Sequence, residues 1–341
     1  MADNGDLFII IALLVAWFIS AGLIFLARRS IIRVFIYFSV FSLVTSFFFL
    51  YLGAPDVAMA EAAISAFTTV FFVVCFERYY RYRKSGHAEV DWAKRPDALK
   101  RSMKDWLKLL PAALLVLGLF GIFVYFIPRD AITNTYLKDQ FIAYFIQDVG
   151  GTNSVGAIYL GYRVYDTLFE ALMLVISVVA VIHMSAYNHV LEITKGPSSR
   201  IQRWGGMAVF TIRFISPIII LFGIYLIANG HLTAGGGFQG GLAVATFFIC
   251  RYLIYDVYDI PIKKVMKIEE AIFLISALIA IIVVFGENIM YLPFITEYYL
   301  IVMNSLIGLK VTCGFVILFY RFIVIERMAG LEEENTQHGH P

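Results

Sequence analysis

Runs of about twenty apolar residues recur along this chain, and they limit its fold more than any other feature. A helix of that length covers about 30 Å, the hydrocarbon thickness of a bilayer. Within lipid every backbone polar group must be satisfied inside the protein, so such runs are read as helices. They fall at 7–26, 31–51, 55–76, 107–127, 166–187, 207–228, 235–254, 269–286 and 302–322. Composition agrees: 60% of the 341 residues are hydrophobic and 15% are charged, against about 25% charged in average soluble chains. The expected fold is an all-α polytopic membrane protein with nine transmembrane helices.

The connecting charges orient these spans. Arg28 and Arg29 follow the first span, with Arg33 just beyond. Nine basic residues, from Arg78 to Lys104, lie between the third and fourth. Lys195, Arg200 and Arg203 follow the fifth, Lys263, Lys264 and Lys267 the seventh, and Arg327 the ninth. The alternate connections hold only Arg129, Lys138 and Arg163. The positive-inside rule then puts the N-terminus outside and the C-terminus in the cytoplasm, in a cell membrane. Asp3 and Asp6 before the first run, and arginines after it, reverse the charge order of a signal peptide and predict a retained helix. Cys75, Cys250 and Cys313 lie far apart in apolar runs, which suggests neither a disulfide framework nor a metal site.

Segment 97–110 places Leu99, Met103, Trp106, Leu107 and Leu110 on one face, ringed by lysine and arginine. That pattern suits a helix on anionic lipid, with partner docking the alternative. The basic residues flank membrane spans, so nucleic acid is excluded. Segment 136–148 is mildly amphipathic and precedes Gly150-Gly151-Thr152-Asn153-Ser154 in the longest external connection. The tail, with Glu332 to Glu334, His338 and His340, reads as solvated.

Ionisable residues inside the spans are the candidate functional residues, because a charge at bilayer depth costs about 2.5–3.5 kcal/mol even on the lenient insertion scale. Pro55 and Asp56 suit a helix start. Glu61 lies deeper, with Ala58, Ala62, Ser65 and Ala66 expected on its side. Small residues in that pattern mark a helix contact. Glu61 therefore serves an ion path or is satisfied structurally by a neighbouring helix. Glu170, one turn after Asp166, and Lys310 enter from the same side. Together with Glu61 they form a candidate coupled set in which Lys310 holds one carboxylate ionised. Snorkelling is the alternative for Lys310, and an interfacial structural role for Glu170. His183 suits proton transfer or a hydrogen-bonded core position, and Arg213 can snorkel inward. In Gly230-His231-Leu232-Thr233-Ala234-Gly235-Gly236-Gly237-Phe238-Gln239-Gly240-Gly241, glycines permit a tight turn. Gly236 with Gly240, and Gly237 with Gly241, then repeat the spacing that lets helix backbones approach closely. His231, Thr233, Gln239 and backbone carbonyls could line an ion path; close packing explains the glycines equally well.

The glycine stretch resembles the signature of the B-type subunit of Mrp-type cation/proton antiporters, with Ala234 where that family usually has proline. The resemblance runs from Arg200 to Arg327, including Ile307-Gly308-Leu309-Lys310. Gly53-Ala54-Pro55-Asp56-Val57-Ala58 through Glu61-Ala62-Ala63 resembles the three-helix module near the end of the large, A-type Mrp subunit. The stretch from Asn153, with Tyr162-Arg163-Val164-Tyr165-Asp166-Thr167-Leu168-Phe169-Glu170-Ala171, resembles the module after it. Similar small subunits occur in membrane-bound hydrogenases. The resemblance implies the tail of an A-type Mrp subunit fused to a whole B-type one. Residues 1–85 form the three-helix module, 86–106 a basic linker, 107–196 a two-helix module, 197–328 a four-helix module and 329–341 a tail. It implies a transporter subunit without a catalytic site or cofactor of its own, acting in sodium/proton exchange. Glu61 and Glu170 fall at acidic positions proposed for the ion path, with Lys310 and His231 as further candidates. The implied partners are other antiporter subunits, including a separate proton-channel subunit, or the redox subunits of a hydrogenase-type complex. Iron–sulfur, nickel and flavin ligand sets are not seen in the sequence, so redox chemistry is assigned to partners.

Overall fold

The computed structural model describes residues 4–27, 31–85, 118, 136–184, 206–255, 260–285 and 293–338. The expected span 107–127 (apart from Gly118), the surface helix at 97–110 and the linker 86–106 lie outside these residues. Among the described residues every regular element is helical. They are α1 (Asn4–Ala27), α2 (Ile31–Tyr51), α3 (Pro55–Ser85), α4 (Tyr136–Val149), α5 (Ser154–Ala157), α6 (Val164–Met184), α7 (Gly206–Asn229), α8 (Gly237–Tyr255), α9 (Ile262–Phe285) and α10 (Pro293–His338), with a π turn at Ile158–Tyr162. Among the described residues, five helices carry apolar windows long enough to cross a membrane: Arg33–Tyr51, Pro55–Val74, Val164–His183, Val209–Asn229 and Glu297–Phe322. The chain divides into two compact units, residues 83–143 and the remainder.

Local chemistry sets the element ends. Gly53 has φ 74°, where only glycine is at ease, and turns the chain between α2 and α3. Pro55 and Asp56 then open α3. The Asn153 side chain accepts from the Val155 N–H and so caps α5. Pro217 sits inside α7, where its missing N–H breaks one rung of the helix ladder. Helix α10 continues through His338, so most of the segment expected as a loose tail is helical.

In the larger unit α10 is the central element. Leu300, Met303, Ile307, Val311 and Phe319 are buried along it at helical spacing. Helices α6, α8 and α9 pack against it, and α7 packs on α8. Helix α3 joins through aromatic rings: Phe67 meets Phe315 at 4.7 Å, and Phe71 meets Phe319 and Phe322. Each such ring pair contributes about 0.5–1.5 kcal/mol beyond burial.

Glycines set how close the helices come. A Cβ on Gly241 would stand 2.4 Å from the Gly308 carbonyl oxygen of α10, and one on Gly240 would stand 2.6 Å from the Gly223 oxygen of α7. A methyl group cannot occupy either space. The repeated spacing read from the sequence is therefore a two-sided backbone crossing, α8 against α7 and α10 together. Lipid tails are as apolar as leucine, so close packing of this kind, rather than water exclusion, holds membrane helices together.

Candidate functional site

The turn between α7 and α8 is the first polar centre. Gly235 and Gly236 have φ of 151° and 148°, and the amide of Gly235 points at Asp56. The Asp56 Oδ1 accepts from that amide and from Asn153 Nδ2, both at 3.1 Å. The same Asn153 amide donates to the carbonyls of Gly230 and Thr233 at 3.0 and 2.9 Å. Its backbone N–H donates to the His231 carbonyl. Asp56 and Asn153 are both buried, and these bonds replace water contacts that burial removes. Asp56 thus departs from the simple helix-start role: its carboxylate crosses from α3 to fix a loop 179 residues away in sequence.

Asn304, on α10, backs this turn. Its Oδ1 accepts from the Gly237 N–H and from the Tyr159 hydroxyl, each at 3.0 Å. Burial, then the nearby Asp56 charge, pushes the Tyr159 phenol well above its ordinary ionisation range, so it remains a donor. Among the described residues the buried Asn304 Nδ2 meets no acceptor, and the buried His231 Nδ1 meets no partner. The other His231 nitrogen, Nε2, faces Glu297 Oε1 at 3.8 Å.

The second polar centre lies in the middle of the bundle. Lys310 Nζ donates to Glu269 Oε1 at 2.9 Å, with side chains 1% and 2% exposed. Lys310 lies midway along the Glu297–Phe322 window, about 18–20 Å from either end by helix rise. The Phe273 ring lies 5.8 Å from its ammonium, within cation–π range. Beside it Thr312 Oγ1 bonds the carbonyls of Gly241 and Gly308 where the backbones cross. The lysine does not snorkel; it is held inside by a carboxylate from α9.

The remaining candidates lie apart. Glu61 is half-buried and accepts a short hydrogen bond from Ser42 of α2. Ser46, one turn on, donates to the Ala58 carbonyl at 2.6 Å. Ala58 and Ser65 are buried beside Glu61 as expected, but Ala66 is exposed, so the small-residue face is narrower than the spacing suggests. Glu170 is exposed on α6, and Asp166 pairs with Arg163 at the same exposed end. His183 is exposed and its Nδ1 meets the Val179 carbonyl of its own helix at 2.9 Å. The expected partnership of Lys310 with Glu61 and Glu170 is not what the side chains make; the lysine's carboxylate is Glu269.

Residues 207–331 match the family model for a domain related to the MnhB subunit of Na+/H+ antiporters, and residues 8–81 match the MbhD model, which describes the D-type subunit of MBH. Along the chain the MbhD match lies ahead of the MnhB-related match. It is similar to a Staphylococcus aureus (strain MRSA252) protein named as antiporter subunit mnhA2, 31% identical over 177 residues, covering 52% of this chain and 20% of the relative. It is also similar to the MJ1307 protein of Methanocaldococcus jannaschii, which carries no functional name, at 34% identity over 116 residues covering 30% of this chain and 44% of the relative. The chain thus spans 20% and 44% of the length of these two relatives. Its fold resembles part of the Mrp complex from Dietzia sp. DQ12-45-1b, with TM-score 0.58 and 19% identity over 89% of this chain and 34% of that one. With these matches and its long apolar helices, this is a multi-pass membrane protein.

The residues matched to the MnhB-related model include Lys310, Glu269, His231, Asn304 and the glycine crossing; those matched to the MbhD model include Asp56 and Glu61. The Gly235 to Asp56 bond therefore ties one matched region to the other. Glu269, Asn304, Glu297 and Tyr159 were not singled out as candidates from sequence. Glu269 follows three lysines and is itself followed by a second glutamate, Glu270, so it stood at the first position of the expected span 269–286. Its signal was the apolar run that starts one residue after that pair.

Proposed function

We propose that this chain is a membrane subunit of a multisubunit Mrp-type sodium/proton antiporter. Its buried charges line part of the ion path, and a separate polypeptide supplies the main proton channel. One observation carries the reading. The domain matched to an antiporter subunit encloses a carboxylate–ammonium pair at mid-span depth, where ionised groups are expensive to keep. A pair held at one hydrogen bond can lose its charge by a single proton transfer from Nζ to Oε1, which is the change that proton-coupled exchange requires. Glu61, held by a hydroxyl, and Glu170, exposed at the bundle surface, continue the acidic series toward partner subunits. Asp56, Asp166, His183 and His231 complete the candidate path, and Gly236, Gly237, Gly240 and Gly241 hold its walls.

In this reading the chain crosses the membrane nine times, N-terminus outside and C-terminus in the cytoplasm, as the loop charges support. Its divisions are 1–85, 86–106, 107–196, 197–328 and 329–341. Sodium and protons are the transported ions, and anionic lipid contacts the cytoplasmic linker. A second reading is favoured by the match of residues 8–81 to the MbhD model: the same chain in the membrane arm of a hydrogenase-type redox complex. The test is sodium-driven proton movement by the reconstituted complex carrying Glu61→Gln with Glu170→Gln. Exchange is expected to fall at least tenfold with the complex still assembled. Wild-type exchange in that variant would leave the chain as a non-conducting scaffold.

A further inference from the structure

The glycine turn holds a histidine in an arrangement that packing alone does not require. His231 is 3% exposed, yet neither ring nitrogen has a hydrogen-bond partner among the described residues: Nδ1 is sealed without one, and Nε2 meets only Glu297 at 3.8 Å. Buried polar atoms are ordinarily hydrogen-bonded. Asn304 adds a second buried donor without an acceptor among these residues, and its Nδ2 lies 3.2 Å from where a Cβ on Gly230 would stand. The loop that carries the histidine is itself held firmly, through Asp56, Asn153 and the Thr152 hydroxyl on the Leu232 carbonyl. A rigid frame thus presents an imidazole to a half-exposed carboxylate at the end of α10.

We propose that Glu297 and His231 form a proton-loading site at the turn, with Glu297 taking protons from water and His231 holding them. In the step, the Glu297 carboxyl O–H breaks and an N–H forms on His231 Nε2, which leaves a carboxylate beside an imidazolium. The exposed glutamate can rotate through the short distance left to hydrogen-bond reach, whereas the histidine is fixed. Imidazole suits the task, since it is the side chain that ordinarily changes charge between pH 5 and 8. Among the described residues, the charged and titratable groups that the contacts place about the turn are Asp56 from α3, Tyr159 from the π turn and Glu297 from α10. The Asp56 Oδ1 is committed to Gly235 and Asn153, and Tyr159 to Asn304, so Glu297 is the one that faces the ring directly. This site deepens the antiporter reading and rests on it for the destination of the proton.

The test compares wild type, Glu297→Gln and Glu297→Asp in the whole complex. Sodium-driven proton movement in vesicles is recorded against external pH, and His231 protonation is followed by nitrogen-15 NMR of the purified complex. Removing the facing carboxylate is expected to move both titrations to lower pH, because an opposite charge near a group favours its charged form. Exchange at neutral pH should slow several-fold, and the aspartate variant should restore most of the wild-type profile. A merely structural glutamate would alter thermal stability and leave both midpoints in place, and superimposable titrations overturn the proposal. If the wild-type vesicles move no protons, the antiporter reading fails, while the NMR midpoint still decides whether Glu297 and His231 form a proton site.

Discussion

Lys310 and Glu269 show how much a single pair of side chains can demand of its surroundings. Both are shielded from solvent, and each would be a lone charge at bilayer depth without the other. Breaking such a pair on one side costs about 3–5 kcal/mol, whereas replacing both partners by apolar residues of similar size is often neutral or better. Lys310→Met is therefore expected to lower the amount of assembled complex sharply. Lys310→Met with Glu269→Leu should recover most of it, as measured by size-exclusion of the solubilised complex. Recovery absent from the double variant would mean that the ammonium serves something besides Glu269. The position of Lys310 inside an apolar run was legible from the sequence, and so was its exceptional charge. Its partner was not, because nothing in local spacing connects residue 269 with residue 310. Asp56 likewise read as a helix-start residue, and only the fold brings Gly235 and Asn153 to its carboxylate.

At the scale of elements, the crossing of α8 between α7 and α10 depends on the absence of side chains. Gly241 and Gly308 meet backbone to backbone, and the Thr312 hydroxyl secures the same point, its one hydrogen shared between the Gly241 and Gly308 carbonyls. Gly241→Val would drive a branched side chain into the Gly308 carbonyl, so the helices must separate. Overpacking of this kind typically costs about 1–3 kcal/mol, and more against backbone. The expected result is a loss of thermal stability of several degrees, whereas Gly22→Ala, at a position with open space around it, should leave stability unchanged. Equal melting of the two variants would contradict the crossing. The glycine spacing showed in the sequence that helices approach closely here. Which helices do so, and on both faces of α8, emerged only from the fold. The same limit applied to α3: small residues around Glu61 marked a contact face, but Ala66 turned out to be exposed, since spacing gives a direction and not a partner.

For the whole molecule, the all-helical membrane class was set by run length and hydropathy, and the described helices follow most of the expected spans closely. Helix ends were less legible. Helix α10 runs on to His338 because a charged, soluble helix can continue an apolar one without any break in backbone hydrogen bonding. The larger unit joins the residues matched to the MbhD model to those matched to the MnhB-related model through Asp56 and the α3 aromatic rings, and it keeps the Lys310–Glu269 pair buried inside. The account stands on that pair being part of an ion path and not merely glue between α9 and α10. Sodium-jump proton movement by the reconstituted complex carrying Glu269→Leu with Lys310→Met decides between these, because the apolar pair preserves packing and removes the charges. Assembly at wild-type level with exchange reduced at least tenfold is the expected result; assembly with exchange at the wild-type rate would contradict the account.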